Sequence, residues 1–194
     1  MPLRVMSGRF RGRRLASPDG DATRPSSGRM RIAVMNILGA DGLEGASVLD
    51  LYAGTGASGI EALSRGARRA LFVERSGPAC RALERNLETL RLGPEEARVL
   101  RADAAGAAGG GAALEFEPFD LVFCDPPYDA FRDPRAAAAL REALGRLAAR
   151  GALAAGARVV VEHPPPRGFA APPTGLVEES VRRYSGAGVT IYRA

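Results

Sequence analysis

From residue 46 onward, apolar segments of strand length alternate with segments whose apolar residues recur at helical spacing. The strand segments are 47–51, 70–74, 98–101, 119–124 and 157–162. Helical patterns cover 57–64, 78–91 and 134–150. Strands that are separated by helices pair in parallel, because each helix returns the chain to the same end of the sheet. The alternation therefore predicts an α/β fold with a mainly parallel, doubly wound sheet, which ends in a strand pair at 176–184 and 189–193.

The first 38 residues differ from the rest of the chain in charge. They hold eight arginines and two acidic residues, a net charge of +6, whereas the whole chain carries +5. Residues 3–16 alternate enough to predict a hairpin with a turn at Ser7-Gly8, and residues 29–38 have helical spacing. We therefore divide the chain into a basic extension at 1–40 and a main domain at 41–194. A basic segment beside a nearly neutral domain is typical of nucleic-acid-binding proteins, with a solvated basic tail as the alternative.

Composition argues against several other classes of protein. No apolar run approaches the ~20 residues that span a membrane, and the arginine-rich start lacks the apolar core of a secretory signal. Cys80 and Cys124 fall in a predicted helix and a predicted buried strand, which indicates free thiols in a reducing cytoplasm. Because the single histidine, His163, and two distant cysteines make a poor ligand set, we expect no metal site.

A glycine-rich turn joins the first predicted strand to the first predicted helix. The strand contains Asp50 and Tyr52 and enters the turn Ala53-Gly54-Thr55-Gly56. Glycines let the backbone approach a ligand closely, and the next helix offers free N–H groups in its first turn. A nicotinamide-binding loop is one interpretation of this turn. The acid at Asp50 argues against it, because an apolar residue is usual at that place in the strand.

Acidic residues also follow the next two predicted strands. Glu74 ends the second strand, and Asp103 comes directly after the third. A carboxylate at the first of these places can accept both hydroxyls of a ribose, and one at the second can accept from an adenine amino group. The carboxyl ends of parallel strands share one edge of the sheet. The glycine turn and these acids therefore predict a single adenosine-binding site.

The segment Asp125-Pro126-Pro127-Tyr128 follows the predicted strand 119–124. Its two prolines end the strand and hold the backbone in a rigid turn. The Asp125 carboxylate and the Pro126 carbonyl can accept the two hydrogens of a planar amine, and Tyr128 can stack on the ring that carries this amine. We interpret the segment as a site for alkylating an exocyclic amine of a nucleobase. A tight turn without chemistry is the alternative when the segment is taken alone.

Together these motifs resemble the class I S-adenosylmethionine-dependent methyltransferases, whose Rossmann-like fold has a mostly parallel, seven-stranded sheet. More closely, the chain is similar to the bacterial 16S ribosomal RNA guanine-N2 methyltransferases of the small subunit, from residues 4–15 to residues 184–193. The resemblance implies S-adenosylmethionine as cofactor. The cofactor-binding residues would be Asp50, Tyr52, Ala53, Gly54, Thr55, Gly56, Glu74, Asp103 and Ala104. The catalytic residues would be Asp125, Pro126 and Tyr128.

The same resemblance implies methyl transfer to the exocyclic N2 amine of a guanine in 16S rRNA, either free or in an assembling 30S subunit. The enzyme would be a cytoplasmic monomer without an obligate protein partner. The basic extension would contact RNA phosphates through Arg4, Arg9, Arg11, Arg13, Arg14, Arg24 and Arg29. The chain departs from the family at Gly28 and Ile32, where acids are usual, and this departure bears on the exact target.

Three other functions share part of this pattern. A DNA methyltransferase acting on adenine N6 or cytosine N4 would use the same tetrapeptide, but the chain leaves no room for a sizeable domain that reads sequence. A glutamine side-chain methyltransferase usually carries Asn in place of Asp125. An inert RNA-binding module on a methyltransferase scaffold would tolerate the loss of the chemical positions, and all of them are intact here.

Overall fold

The computed structural model describes residues 3–18, 25–40, 42–110, 114–165, 168–184 and 186–194. For residues 25–27 and 29 it describes the backbone alone. The strands are β1 (Ser47–Leu51), β2 (Arg69–Glu74), β3 (Ala97–Arg101), β4 (Phe119–Cys124), β5 (Leu153–His163), β6 (Val177–Tyr184) and β7 (Ala187–Arg193).

These strands form a seven-stranded sheet in the order β3-β2-β1-β4-β5-β7-β6. Strands β1 to β5 are parallel, and β7 is antiparallel to both β5 and β6. The mostly parallel, doubly wound sheet is therefore confirmed. The order reverses between β1 and β4, and at such a reversal the crossovers leave in opposite directions and open a crevice above the carboxyl ends of the two strands.

Six helices lie within the described residues, and most of them begin where the sequence supplies a capping group. They are α1 (Pro25–Leu38), α2 (Ala57–Ser64), α3 (Gly77–Leu90), α4 (Ala104–Gly109), α5 (Asp129–Arg132) and α6 (Pro134–Ala149). The predicted cap of α6 is confirmed, because the Asp133 side chain accepts from the Arg135 N–H at 2.9 Å ahead of Pro134. Among these helices, none has the length and apolarity needed to cross a membrane.

Two apolar cores cover the two faces of the sheet, and the side-chain alternation of β1 divides its residues between them. Val48 packs with Ile60 and the rest of the core under α1, α2 and α3. Leu49 packs with Leu144 in the core under α4 and α6. Asp50, two residues after Val48, therefore belongs to the first face, where it is buried among apolar neighbours.

The N-terminal segment at residues 3–18 returns on itself as predicted, but in a different form. Arg4 and Arg14 make an isolated antiparallel bridge, and backbone hydrogen bonds flank it on both sides. A 3-10 helix at Gly8–Phe10 makes the turn. The expected pair of regular strands around a tight turn at Ser7-Gly8 is wrong. The bulge of the 3-10 turn is explained by what it rests on, which is helix α2.

Polar contacts attach this N-terminal segment to α2 and α3. The Met6 N–H donates to Glu61 Oε2 of α2 at 2.8 Å. The Asn86 side chain of α3 accepts from the Ala16 N–H at 2.6 Å and donates to the Ala16 carbonyl at 3.1 Å. The same amide donates to the Thr55 carbonyl at 3.0 Å. One buried side chain thus connects the N-terminal segment to the glycine turn, and these contacts replace the solvent that a free tail would have.

Most predicted boundaries agree with the structure to within a residue or two, and the exceptions have local causes. Helix α1 begins at 25 rather than 29, and a proline is well tolerated in a first helical turn. Strand β5 begins at 153 rather than 157, after a register shift against β4 between Phe119 and Leu121. The low-complexity segment 104–113 contains α4 over 104–109, and residues 111–113 lie outside the described residues. Helix α5 is a single turn that periodicity could not reveal.

A pair of glycine substitutions tests the docking of the N-terminal segment. Gly8 (φ +77°) and Gly12 (φ +81°) both have positive φ, but an added Cβ would lie 1.7 Å from the Ser64 carbonyl oxygen at Gly8 and would meet nothing within 4 Å at Gly12. Gly12→Ala should therefore cost about 1–2 kcal/mol from the backbone alone. Gly8→Ala should cost at least about 1–3 kcal/mol more, because the segment must move off α2. Urea unfolding of both variants measures the difference, and equal losses would contradict the docked arrangement.

Candidate active site

A cavity of about 310 Å³ opens at the crevice between the carboxyl ends of β1 and β4. Its walls include Asp50 and the 52–55 segment from the β1 side and Asp125 from the β4 side. The structure thus brings the glycine turn and the Asp125-Pro126-Pro127-Tyr128 segment, which are about 70 residues apart in sequence, to the same cavity. Glu74 and Asp103 lie at the same sheet edge, at the ends of β2 and β3.

The turn after β1 has a backbone that only a few residue types adopt easily. Tyr52 has φ +59°, Gly54 has φ +56° and Gly56 has φ +79°. At Gly54 an added Cβ would meet nothing within 4 Å, so the glycine leaves open space on the ligand side of the turn. At Gly56 an added Cβ would lie 2.3 Å from Cδ1 of Leu83, so the turn is pressed onto α3 there. The turn is closed against the core and open toward the cavity.

Glu74 holds this turn in place. Its Oε2 accepts from the Gly54 N–H at 2.9 Å, and its Oε1 accepts from the Ser76 N–H at 2.7 Å. Each carboxylate oxygen retains a second lone pair. The predicted bidentate contact to two ribose hydroxyls is therefore compatible with the hydrogen bonds that Glu74 makes to the backbone.

Asp103 occupies a comparable position at the end of β3. It is the N-cap of α4, where its Oδ1 accepts from the Gly106 N–H at 2.8 Å. Its other carboxylate oxygen stays available as an acceptor. Ala104 is the first residue of α4, so its N–H is one of the donors that a helix leaves without an intrahelical partner. This pair offers one acceptor and one donor to a planar heterocycle.

Asp50 is a buried carboxyl group at the floor of the cavity. It is 3% exposed, and its Oδ2 accepts from the Gly59 N–H at 2.9 Å. Burial raises the pKa of Asp50 from 3.8 to about 8, against the Gly59 hydrogen bond, which lowers it. The charges of Asp125 and Glu74 raise this pKa further. At neutral pH, Asp50 of the ligand-free protein therefore carries a proton most of the time.

The Asp125-Pro126-Pro127-Tyr128 segment is fixed on both sides. The Asp125 N–H donates to the Leu51 carbonyl of β1 at 3.5 Å, at the long limit of a hydrogen bond. The carbonyls of Pro127 and Tyr128 accept from the first N–H groups of α5. Within the described residues, no hydrogen bond to the Pro126 carbonyl is found, so this oxygen remains available beside the exposed Asp125.

Tyr128 is held at the rim of the cavity through its hydroxyl group. That group donates toward Glu162 Oε1 and the Gly186 carbonyl, each at 3.3 Å. Glu162 lines the cavity from the end of β5, and Gly186 precedes β7. The half-buried ring of Tyr128 thus stands between the tetrapeptide and the hairpin of β6 and β7.

Sequence reasoning missed two parts of the cavity wall. One is helix α1, which contributes Arg31 together with several apolar residues. The other is Glu162, an acid at the end of a strand, and this is the same signal that identified Glu74. The Arg31 signal was hidden, because the arginine lies between Met30 and Ile32 in a helix whose orientation depends on tertiary packing.

The arginines proposed for RNA binding differ in their surroundings. Arg9 pairs with Glu96 at 2.6 Å, and Arg13 donates to the Thr89 carbonyl at 2.8 Å. Arg4 is half-buried and donates to the Gly12 carbonyl, whereas Arg11 and Arg14 are exposed and have no ion pair within the described residues. Arg24 lies outside the described residues, and so does the side chain of Arg29.

Other candidate groups have structural surroundings. Cys80 and Cys124 are buried free thiols, as predicted, and burial raises the pKa of both. His163 is completely buried, and its ring nitrogens contact the Pro164 carbonyl and Thr190 Oγ1 at 2.9 Å each. These contacts explain the histidine as a packed strand-end residue. No group of three metal-binding side chains is found within the described ranges.

Comparison with known proteins places these observations in a family. The family model described as Conserved hypothetical protein 95 matches residues 3–193. The ribosomal RNA small subunit methyltransferase D of Escherichia coli (strain K12) is 35% identical over 191 residues, which cover 98% of this chain and 88% of that protein. The solved structure of yhhF from Escherichia coli superposes with a TM-score of 0.82 at 32% identity, covering 100% and 98% of the two chains.

The fold extends to more distant enzymes. The Thermus thermophilus 16S rRNA N2 G1207 methyltransferase superposes with a TM-score of 0.63 at 22% identity, over 90% of this chain and 44% of that one. This likeness concerns the fold alone. The seven-stranded sheet is that of the class I methyltransferases, as the sequence predicted.

The raised pKa of Asp50 predicts how stability depends on pH. The folded protein retains a proton on Asp50 that the unfolded chain loses above pH ~4, so stability falls as pH rises toward 8. Asp50→Asn keeps an acceptor for the Gly59 N–H and removes the titration. The wild type should therefore lose up to about 1.4 kcal/mol per pH unit relative to this variant between pH ~6.5 and ~8. Urea unfolding over that range measures the difference, and parallel pH profiles would contradict the assignment.

Proposed function

This chain belongs to the family described as Conserved hypothetical protein 95, and on that premise we propose that it methylates the exocyclic N2 amine of a guanine in 16S ribosomal RNA. The observation that carries the proposal is the shared cavity, because it joins a glycine turn suited to a cofactor with the Asp125-Pro126 acceptors suited to an amine. RNA of the small subunit as substrate follows from the name of the Escherichia coli relative. Guanine N2 follows from the family resemblance of the sequence.

The residues present fit S-adenosylmethionine as the cofactor, which when bound supplies an electrophilic methyl group on a sulfonium. The open space beside Gly54 allows close backbone approach, and a buried arginine nitrogen of the cavity wall lacks a hydrogen-bond partner within the described residues. Glu74 would hold the ribose, and Asp103 with the Ala104 N–H would hold the adenine. The remaining contacts would come from Asp50, Tyr52, Ala53, Gly54, Thr55 and Gly56.

The amine-binding half of the site would work by positioning. The Asp125 carboxylate and the free Pro126 carbonyl are two acceptors on one rigid turn, so they can take both hydrogens of an NH₂ group. The guanine N2 lone pair is delocalised into the ring, which makes it a poor nucleophile. Two fixed acceptors favour the pyramidal nitrogen of the transition state and direct its lone pair into the cavity.

Tyr128 would hold the base that carries this amine. The target base must leave its stack before its amine can enter a cavity of this kind. A base stacked on an aromatic ring gains roughly 1–3 kcal/mol, which offsets part of the unstacking. The hydroxyl contacts to Glu162 and Gly186 fix the ring orientation before the base arrives.

No strong general base is required in this scheme. The nitrogen becomes acidic once it carries a fourth substituent, so a weak acceptor suffices for the proton. Asp125 is exposed at the mouth of the cavity and can pass that proton to water. The buried Asp50 is a less suitable acceptor, because it is already protonated most of the time at neutral pH.

Methyl transfer to defined substrates tests the function. The protein is incubated with labelled S-adenosylmethionine and, separately, with small ribosomal subunits, free 16S rRNA and DNA, and the labelled nucleoside is then identified. We expect N2-methylguanosine from subunits or free RNA, and the preferred substrate distinguishes assembled from free RNA. Label in N6-methyladenine or N4-methylcytosine of DNA would overturn the proposal and favour the DNA methyltransferase.

Removal of Asp125 tests the amine-binding role. Asp125→Ala should lower kcat by about 10²–10³-fold, the loss typical of one fixed transition-state contact. Binding of S-adenosylhomocysteine by calorimetry should change little. Asp129→Asn is the matched control, because it neutralises a nearby carboxylate that pairs with Arg132 at the protein surface. Near-normal turnover in Asp125→Ala would exclude the assigned role.

Exposed arginines of the N-terminal segment test the RNA contact. Arg11→Gln/Arg14→Gln removes two cations that have no described ion pair, and the slope of log affinity against log salt should weaken by about 0.7 per lost phosphate contact on single strands. Arg141→Gln/Arg146→Gln makes the same charge change on α6, which covers the opposite face of the sheet. Equal salt slopes for the two double variants would remove the N-terminal segment from the RNA interface.

A further inference from the structure

Arg31 is a buried cation in the wall of the cavity. It is 8% exposed, and it lines the cavity together with Asp50 and Asp125. One of its nitrogens, Nη2, donates to the Arg4 carbonyl at 3.3 Å, whereas Nε has no hydrogen-bond partner within the described residues. A buried guanidinium and an unused donor are both unfavourable unless an anion completes them.

The neighbouring acids do not supply that anion. Glu61 is the strongest favourable charge near Arg31, but its Oε2 accepts from the Met6 N–H and its Oε1 pairs with Arg65 at 2.9 Å. Asp50 is mostly protonated in the ligand-free protein at neutral pH. Among the described residues, no carboxylate oxygen lies within 4.0 Å of an Arg31 nitrogen. The guanidinium is therefore a cation without an ion-pair partner in this part of the chain.

We propose that Arg31 binds the carboxylate of the amino-acid end of the cofactor. This inference rests on the proposed function, because it takes S-adenosylmethionine as the ligand. The methyl-bearing sulfur must lie near Asp125 for transfer to an amine held there, and Arg31 lines the same cavity of about 310 Å³. The amino-acid end adjoins that sulfur, so its carboxylate comes within the reach of this wall.

A carboxylate suits Arg31 better than an RNA phosphate does. The planar fork of a guanidinium matches the two oxygens of a carboxylate, and such a pair is strong where water is excluded. A polynucleotide backbone cannot approach a side chain that is 8% exposed inside a cavity. Asp50 on the cavity floor completes the match, because an acid beside the cation suits the amino group next to the carboxylate.

The test compares two ligands that differ only in this carboxylate. S-adenosylhomocysteine and its decarboxylated analogue are titrated into the full-length protein by calorimetry. We expect the wild type to bind S-adenosylhomocysteine roughly 10–100-fold more tightly, the range of a charge-assisted hydrogen-bonded pair. Arg31→Gln should lose that factor for S-adenosylhomocysteine and keep its affinity for the analogue within about threefold, so that the ratio falls toward one.

Two more variants separate this role from a structural one. Arg65→Gln removes a nearby cation that pairs with Glu61 but does not line the cavity, and it should leave the affinity ratio unchanged. Arg31→Lys retains the charge without the planar fork, and it should keep part of the discrimination. Should Arg31→Gln fail to fold in a thermal unfolding scan, the lysine variant and the wild-type ratio still decide the question.

The possible failures are distinguishable. A wild type that binds neither ligand overturns the proposed function itself. A wild type that binds both ligands equally, or an Arg31→Gln variant that still prefers the carboxylate, overturns the role of Arg31 and leaves the proposed function standing. Loss of RNA affinity in Arg31→Gln with an unchanged ligand ratio would assign the guanidinium to RNA instead, and it would also overturn the inference.

Discussion

The pairing of β1 with β4 is the constraint on which the rest of the site depends. Leu51 is in register with Cys124, so the residues that follow each strand emerge side by side. One is the glycine turn and the other is the Asp125-Pro126-Pro127-Tyr128 segment, and the Asp125 N–H still donates to the Leu51 carbonyl. A slip of this register by one residue would turn every side chain of β4 to the opposite face and separate the two segments. The chemistry is therefore positioned by the backbone of a buried parallel pair.

The N-terminal segment takes part in this arrangement more closely than a basic tail would. Leu3 lines the cavity, the Arg4 carbonyl accepts from Arg31, and Asn86 connects Ala16 to the Thr55 carbonyl of the glycine turn. The segment that carries the exposed arginines thus shares hydrogen bonds with the wall and the turn of the cavity. RNA contact on the outside and ligand contact on the inside would both act on the same short segment, which is a physical route for coupling between them.

Much of the fold and half of the site could be predicted, because strong local signals determine them. Apolar segments bounded by glycines and prolines located β1 and β4, and the rule that parallel strands share a carboxyl edge placed Glu74 and Asp103 near the turn. The form of the N-terminal hairpin could not be predicted, since its 3-10 turn depends on helix α2 beneath it. The role of α1 was hidden for a similar reason. Periodicity identifies a helix but does not say which polar residue on it becomes buried.

The two buried ionisable groups of the cavity are difficult to explain by stability alone. Asp50 sits protonated at neutral pH in an apolar floor, and Arg31 lies in the wall without an ion pair in the described residues. Replacing such groups with apolar residues of similar volume is commonly neutral or stabilising, so packing does not account for them. A ligand that carries an ammonium and a carboxylate on adjacent atoms would give Asp50 a reason to ionise and Arg31 an anion. The cavity therefore has the electrostatic character of a site whose charges are completed by its ligand.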